Sequence, residues 1–217
     1  MSLKRAWLFA LIACILILTA CGEQVTEKIY VHLEQAVELE EQFEQQQEPL
    51  QEAEEKEHQY YEEIIQLGMD EYEKIVSLAE DALASIEERQ NMVQLEMESL
   101  ESSVDEITQI EPMIEKVEEE EANRILKELY STMLERFKKY KQLNEVYNET
   151  IEAERQLFTL LMDEELEIEN LQNQINKVNE KYEEVITAKD EFNEKTDAYN
   201  QLKRDFYDSV KLDVHYE

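Results

Sequence analysis

Residues 171–206, LQNQINKVNEKYEEVITAKDEFNEKTDAYNQLKRDF, decide the fold of this chain. Seam residues recur here at spacings of three, four or seven: Leu171, Ile175, Val178, Tyr182, Val185, Phe192, Thr196, Tyr199 and Phe206. This heptad pattern is typical of a helix with one narrow apolar seam, which packs against other helices. It predicts a long helix ending near Val210. Phe192 lies at the centre of the seam and should be buried, whereas Glu194 should face solvent.

A second heptad series occupies the N-terminal third of the chain. Its members are Ile29, His32, Ala36, Leu39, Phe43, Gln46, Leu50, Ala53, Glu57, Tyr60, Ile64 and Leu67. Pro49 falls inside the series, and a proline removes a backbone donor and clashes with the carbonyl one turn earlier. Because the repeat keeps its phase across Pro49, we expect a kink or a short break near Gln45–Glu48 between two collinear pieces.

Three further boundaries follow from turn signals. The heptad phase slips at Gly68, which suits a helix C′ position, and Asp70 with Glu73 resembles a capping box. A helical hairpin turn at Gly68 is therefore preferred over one helix that runs through it. Glu111-Pro112 predicts another helix boundary. The apolar spacing lapses again at Asp163–Glu167, which predicts the last turn.

Glycine and proline are nearly absent, with two of each in 217 residues. A sheet protein needs many more turn residues, so the chain is predicted to be all-α. Four long helices joined by short connections favour an elongated up-down-up-down antiparallel bundle or coiled coil. The alternative is a three-helix spectrin-like rod with an extra N-terminal helix, if no turn forms at Gly68.

The N-terminus has the layout of a secretory signal. Lys4 and Arg5 precede an uncharged apolar run over residues 6–18. This run is shorter than the stretch of about 20 apolar residues that a transmembrane helix needs. Leu18, Thr19, Ala20 and Cys21 close this run and resemble the lipobox of bacterial lipoproteins. That resemblance implies a diacylglyceryl group on the Cys21 thiol, cleavage just before Cys21, and acyl chains such as palmitate that anchor the protein in the membrane.

Composition excludes several classes of function. The net charge is −33 and becomes −35 once residues 1–20, with Lys4 and Arg5, are removed. So acidic a chain lacks the basic footprint of a nucleic-acid-binding protein. Cys14 leaves with the signal, so the mature chain keeps only Cys21 and has neither a disulfide nor a cysteine-based metal site.

Few residues are candidates for metal binding or catalysis. Glu55 and His58 match one Glu-x-x-His element of di-metal helical bundles, but such sites need two elements. His58 also falls one place past the seam and should face outward, so a metal-binding bundle is a remote alternative. His32 lies on the seam and is interpreted as a packed histidine. No catalytic set or cofactor loop is singled out by spacing, and we expect no enzyme, no metal and no cofactor.

One basic cluster stands out in an acidic chain: Arg136, Lys138, Lys139 and Lys141. It is either a contact patch for an anionic partner or a set of partners for the Glu-rich faces of neighbouring helices, and the acidic surroundings favour the second reading. Most of the tyrosines are read as core residues, since Tyr60, Tyr72, Tyr140, Tyr182 and Tyr199 lie on seams.

The whole chain resembles the cell-wall-binding lipoproteins of Bacillus-type bacteria, the YkyA-type family. The residues that carry the resemblance are Leu18–Gly22, Tyr30–Glu34, Gln46–Leu50, Ile65–Met69, Tyr182–Val185 and Glu191–Asn193. The family implies a lipoprotein on the outer face of the cell membrane, associated with the envelope, and it brings no catalytic residues.

Together these features predict a signal peptide over 1–20, a lipidated tether over 21–27, a helical bundle over 28–212 and a tail over 213–217. We expect an extracytoplasmic lipoprotein that binds the cell wall or acts as a spacer, with membrane lipid as partner through Cys21. The alternative is a coiled-coil adaptor that docks another envelope protein.

Overall fold

A computed structural model describes residues 25–212, and this part of the chain is helical nearly throughout, without a strand. The helices are α1 (25–39), α2 (Glu41–Ile64), α3 (Tyr72–Thr108), α4 (Glu111–Ile114), α5 (Glu120–Leu161) and α6 (Ile168–Ser209). A single turn of 3₁₀-helix, Met69–Glu71, precedes α3. The prediction of an all-α protein is confirmed.

Four long helical arms form an elongated antiparallel bundle, because α1 and α2 together make one arm and α3, α5 and α6 make the others. The turns at Gly68 and at 162–167 lie side by side, where the Tyr72 hydroxyl donates to the Met162 carbonyl at 2.7 Å. At the other end the Tyr207 hydroxyl of α6 donates to Glu34 Oε1 of α1 at 2.6 Å. The 42 residues of α5 span about 63 Å. We call the end with residues 25 and 212 the proximal end and the end with the two turns the distal end.

Three apolar clusters fill the bundle along its length. The proximal cluster contains Ile29, Leu33, Ile107, Leu126 and Phe206, and the distal one contains Ile64, Ile86, Phe158 and Val178. A small central cluster joins Leu100, Tyr140 and Phe192. The seam predicted for the last helix is confirmed, since Val178, Val185, Phe192, Tyr199 and Phe206 are buried and Glu194 is exposed.

Of the kink or short break predicted near Gln45–Glu48, the break is absent, because α2 runs unbroken through Pro49. The interruption lies at Glu40, where the Ser99 hydroxyl of α3 inserts between two turns of helix. Ser99 Oγ accepts from the Phe43 N–H at 3.1 Å and donates to the Leu39 carbonyl at 2.6 Å. These two backbone groups would pair with each other in a regular helix, so an inserted side chain causes the break.

The turn at Gly68 is confirmed, but its chemistry differs from the prediction. Gly68 has φ −91° and ψ 166°, an extended conformation and not the left-handed one of a C′ glycine. The Glu71 N–H donates to the Gly68 carbonyl at 2.9 Å, which places Asp70 inside the 3₁₀ turn. Glu71 is therefore the N-cap of α3 and has no side-chain cap, so the predicted Asp70–Glu73 capping box does not form.

The other predicted boundaries are confirmed. Pro112 lies in the first turn of α4, the short helix between α3 and α5. The last turn separates Leu161 from Ile168. Helix α6 ends next to the predicted Val210, where Lys211 adopts the left-handed region with φ 58°. The Leu212 and Lys211 N–H groups donate to the carbonyls of Tyr207 and Asp208, which is the Schellman arrangement.

Candidate functional site

Polar side chains lie in the middle of the bundle, stacked as three layers between the helices. Layer 1 contains Glu40, Ser103, Arg136 and Thr196. Layer 2 contains Gln47, Glu96 and Tyr140. Layer 3 contains Glu54, Glu57, Arg89, Tyr147, Glu154 and Tyr182. The layers follow one another in this order from the proximal toward the distal end.

Layer 1 connects all four arms through the ion pair of Arg136 and Glu40. Arg136 Nη1 and Nη2 of α5 donate to Glu40 Oε1 and Oε2 at 2.7 and 2.8 Å, and its Nε donates to the Thr196 hydroxyl of α6 at 2.9 Å. Ser103 of α3 donates to Glu40 Oε1 at 2.7 Å. The guanidinium also lies 5.1 Å from the ring centroid of Phe192. Charge and hydrogen bonds are thus satisfied together, as a buried ion requires.

Layer 2 is centred on the buried carboxyl of Glu96. The Tyr140 hydroxyl donates to Glu96 Oε2 at 2.9 Å, and the Gln47 side-chain amide donates to Oε1. Burial outweighs these two hydrogen bonds and raises the pKa of Glu96 to about 7. The ring of Tyr140 packs edge-on against Phe43 and Phe192, so the layer continues directly into the central apolar cluster.

Layer 3 places three carboxylates around one fully buried guanidinium. Arg89 of α3 donates to Glu154 Oε2 of α5, and its Nη1 lies 3.1 Å from Glu57 Oε2 and 3.9 Å from Glu54 Oε1 of α2. Tyrosines hold the outer carboxylates, since Tyr182 donates to Glu154 and Tyr147 donates to Glu54, both at 2.6 Å. If all three glutamates were ionised, the layer would carry a net charge of −2.

Among the three carboxyl groups of layer 3, Glu57 has the most strongly perturbed environment. It is 2 % exposed, and among the described residues neither of its carboxylate oxygens has a hydrogen-bond partner of good geometry. Burial raises the pKa of Glu57 to about 7, while Arg89 lowers it and the Glu154 carboxylate raises it further. A buried carboxylate without hydrogen-bond donors is costly, and the neighbouring Arg89 does not compensate for its burial, so the protonated form is favoured.

Most of the layer residues lie on or next to seam positions, and their heptad spacing is visible in the sequence. Glu40, Gln47 and Glu54 are seven residues apart, as are Arg89, Glu96 and Ser103, and again Tyr140, Tyr147 and Glu154. Glu57 and two tyrosines of the layers, Tyr140 and Tyr182, were predicted to lie on seams, whereas the other charged members were missed. Charged residues that recur at heptad spacing on or beside a seam are the signal that would have found them.

Such layers fix how the helices align along the bundle. Sliding one arm by one heptad would separate Arg136 from Glu40 or Arg89 from Glu154, at a cost of several kcal/mol per unpaired ion by the general estimate. Polar residues at core positions are known to set register in this way. The arrangement gives the bundle a defined length and alignment.

Several predicted site residues lie outside the described part of the chain. Leu18, Thr19, Ala20 and Cys21, which form the predicted lipobox, precede residue 25, and residues 213–217 follow Leu212. Residues 25–27, predicted to belong to the tether, are already helical. Over residues 25–212, no helix is long and apolar enough to cross a membrane.

The basic cluster does not form a single surface. Arg136 is buried in layer 1, which corrects its place in a contact patch, since its guanidinium is enclosed by Glu40, Thr196 and two aromatic rings. Lys139 pairs with Glu191 of α6 at 2.6 Å. Lys141 lies 4.7 Å from the ring centroid of Phe137, and Lys138 is exposed.

The two histidines in the described part of the chain, His32 and His58, lie as their heptad positions predict. His32 is half-buried, with Nδ1 2.5 Å from Glu106 Oε1 of α3. His58 is exposed, one residue past the buried Glu57. Within residues 25–212, no group of three or more His, Cys, Asp or Glu residues is arranged to hold a metal ion.

The fold and the polar layers define a class, that of extended helical bundles with an aligned, partly charged core. Residues 24–209 match the YkyA family, described as "Putative cell-wall binding lipoprotein". The chain is also 33 % identical to the lipoprotein YkyA of Bacillus subtilis (strain 168) over 202 residues, covering 93 % of this chain and 91 % of the relative. The chain therefore belongs to the YkyA lipoprotein family, as its sequence predicts. No solved structure matches it.

Proposed function

We propose that the protein is a lipid-anchored lipoprotein on the outer face of the cell membrane, which works by binding or spacing and not by catalysis. In this proposal residues 1–20 are a signal peptide, Cys21 carries the lipid, and the bundle extends from the membrane toward the cell wall. Membership of a lipoprotein family whose description names the cell wall supports the general setting. The anchor at Cys21 and the mode of action are our inference.

One observation carries the spacer role. The described chain starts and ends at the same, proximal end, since Tyr207 near the end of α6 bonds Glu34 and packs edge-on against Tyr30 of α1. Cys21 precedes residue 25 by only four positions, so a lipid there would hold the proximal end at the membrane. The distal end would then stand about 60 Å away, at 1.5 Å per helical residue.

The polar layers support a structural role for the buried charges. Arg89, Arg136 and their carboxylates contact one another inside the bundle, and they join arms that an apolar seam alone would leave free to slide. Residues that hold helices in register stiffen a spacer. The net charge of −33 keeps the bundle away from anionic lipid, which favours an upright arrangement over one that lies flat on the membrane.

Fractionation of cells that produce Cys21→Ala tests the anchor in place. The wild-type protein should sediment with membranes, while Cys21→Ala should be released or stay unprocessed. Cys14→Ala is the matched control, because Cys14 lies in the same apolar leader without a role in anchoring. If Cys21→Ala remains processed and membrane-bound like Cys14→Ala, the proposed anchor is wrong.

Sedimentation with purified wall sacculi separates the two candidate modes of action. The purified bundle should sediment with sacculi if it binds the wall directly, and removal of the anionic wall polymers should strengthen binding, because like charges repel. A bundle that stays in the supernatant under both conditions would favour the adaptor function, in which the partner is an envelope protein.

A further inference from the structure

The distal end is formed by two turns that pack against each other. The Tyr72 hydroxyl at the start of α3 donates to the Met162 carbonyl after α5, at 2.7 Å. Leu67 and Leu166, one from each turn, pack onto the same distal apolar cluster. The turns are therefore neighbours on one surface, here called the distal tip and comprising residues 62–74 and 162–169.

The distal tip exposes large apolar side chains that the fold does not use. Ile168 is 82 % exposed, Met69 is 61 % exposed and Ile65 is 50 % exposed. Isolated exposed apolar residues are ordinary on protein surfaces, but several that share one end of a bundle indicate a contact site. Ile168 is also the first residue of α6 and belongs to none of the three apolar clusters.

The surroundings of these side chains are strongly acidic. The distal tip contains ten Asp and Glu residues and one basic residue, Lys74. Such a surface repels a second copy of itself, an anionic membrane and anionic wall polymers, and it attracts a cationic partner. The acidic surface therefore selects a positively charged partner, and the exposed apolar side chains require that this partner also present apolar side chains.

We propose that the distal tip is the docking surface for a cationic amphipathic segment of another protein. Apolar side chains of that segment would cover Met69 and Ile168, and its lysines or arginines would face the acidic rim. This arrangement follows the common form of protein interfaces, with an apolar centre and a polar rim. The inference deepens the adaptor function, and it does not depend on lipid at Cys21.

A designed peptide probe tests the surface directly. The probe is a fluorescent amphipathic peptide of lysine and leucine, and its matched control has serine in place of every leucine at equal charge. The protein is the chain from residue 21 onward with Cys21→Ser, which contains the whole described bundle. Fluorescence anisotropy should show that the leucine peptide binds at least tenfold more tightly than the serine peptide, since that ratio corresponds to about 1.4 kcal/mol, which burial of a single leucine side chain can supply.

Paired variants assign the preference to the tip. Met69→Ser with Ile168→Ser should remove the tenfold preference for leucine, whereas Val37→Ser with Ile186→Ser, which changes two exposed apolar residues away from the turns, should keep it. All four positions are exposed, so both variants should melt like the parent. The proposal is overturned if the parent shows no preference for the leucine peptide, or if the two variants lose it equally. None of these readouts involves the anchor, so failure here is distinct from failure of the anchor at Cys21.

Discussion

The guanidinium of Arg136 and the carboxylate of Glu40 form a two-pronged ion pair at the point where α1 meets α2, with N–O distances of 2.7 and 2.8 Å. Glu40 is the one non-helical residue between these helices. Arg136 is 4 % exposed and reaches Glu40 from the middle of α5. The pair therefore holds the interrupted arm against the rest of the bundle at the junction of α1 and α2.

Replacing Arg136 should destabilise the bundle strongly. Arg136→Met leaves the Glu40 carboxylate without its charged partner in a half-buried site, and breaking a buried pair typically costs about 3–5 kcal/mol. Lys139→Met is the matched control, because Lys139 makes a more exposed pair with Glu191 of the kind worth at most about 1 kcal/mol. Urea unfolding measures the free energy of unfolding of both variants. Equal losses in the two would show that the Arg136–Glu40 pair does not hold the junction of α1 and α2.

The inserted hydroxyl of Ser99 gives a second, local prediction. Ser99→Ala leaves the Phe43 N–H and the Leu39 carbonyl without their partner, and an unsatisfied buried group costs about 1–3 kcal/mol. Amide hydrogen exchange of Phe43 should accelerate. Ser102→Ala should change little, because that exposed hydroxyl donates only to the Glu98 carbonyl of its own helix. Unchanged exchange at Phe43 in the Ser99 variant would contradict the inserted-hydroxyl description.

The buried glutamates make stability depend on pH in a defined direction. The pKa values of Glu57 and Glu96 are raised from 4.5 to about 7 in the folded protein. A raised pKa means that the folded state binds the proton more tightly than the unfolded state does. The stabilisation of the folded state by this proton is therefore complete below pH 4.5 and is lost as the pH rises through about 7. Each group accounts for up to about 3 kcal/mol across that interval, at 1.36 kcal/mol per pKa unit.

Glutamine variants isolate this contribution from the other carboxylates. Glu57→Gln with Glu96→Gln fixes both side chains in a neutral form, so its stability relative to the parent should rise between about pH 5 and pH 7.5. Glu183→Gln with Glu194→Gln removes the same charge from exposed positions of α6 and should show a much smaller trend. Parallel curves for the two double variants would mean that the buried pair does not titrate in this interval.

The seam of α6 supplies a test of core packing. Phe192 is 5 % exposed and contacts Phe43 and Tyr140 edge-on. Phe192→Ala should lower the free energy of unfolding by about 3–5 kcal/mol, from lost transfer energy and the cavity left behind. Glu194→Ala, two residues on and exposed, should stay within about 0.5 kcal/mol. Thermal melting distinguishes the two, and similarly mild shifts would show that the helix phase is misplaced.

Heptad spacing and the scarcity of glycine and proline were enough to predict the helices, the bundle and the buried face of α6. Those features depend on periodicity within one helix, which the sequence displays directly. The boundaries at Gly68, Pro112 and 163–167 were predictable for the same reason, since turn residues interrupt the pattern. The family followed from short stretches such as Ile65–Met69.

The predictions failed where the outcome depends on a partner from another helix. Pro49 is the strongest helix-breaking residue in its arm, yet the interruption lies at Glu40, because Ser99 of α3 bonds the backbone there. Arg136 was expected to pair with a glutamate of a neighbouring helix, and it does, but its burial was not predicted, because Glu40 and Thr196 enclose it from two other arms. Pairing between residues 56 to 96 positions apart cannot be predicted from local spacing.

The central claim, that this bundle is held at the membrane by lipid on Cys21, is tested most directly by mass spectrometry of the N-terminal peptide from the membrane fraction. We expect a peptide that begins at Cys21 and carries the mass of a diacylglyceryl group on that residue. A peptide that contains residues 1–20, or one with an unmodified Cys21 from membrane-bound protein, would contradict the claim.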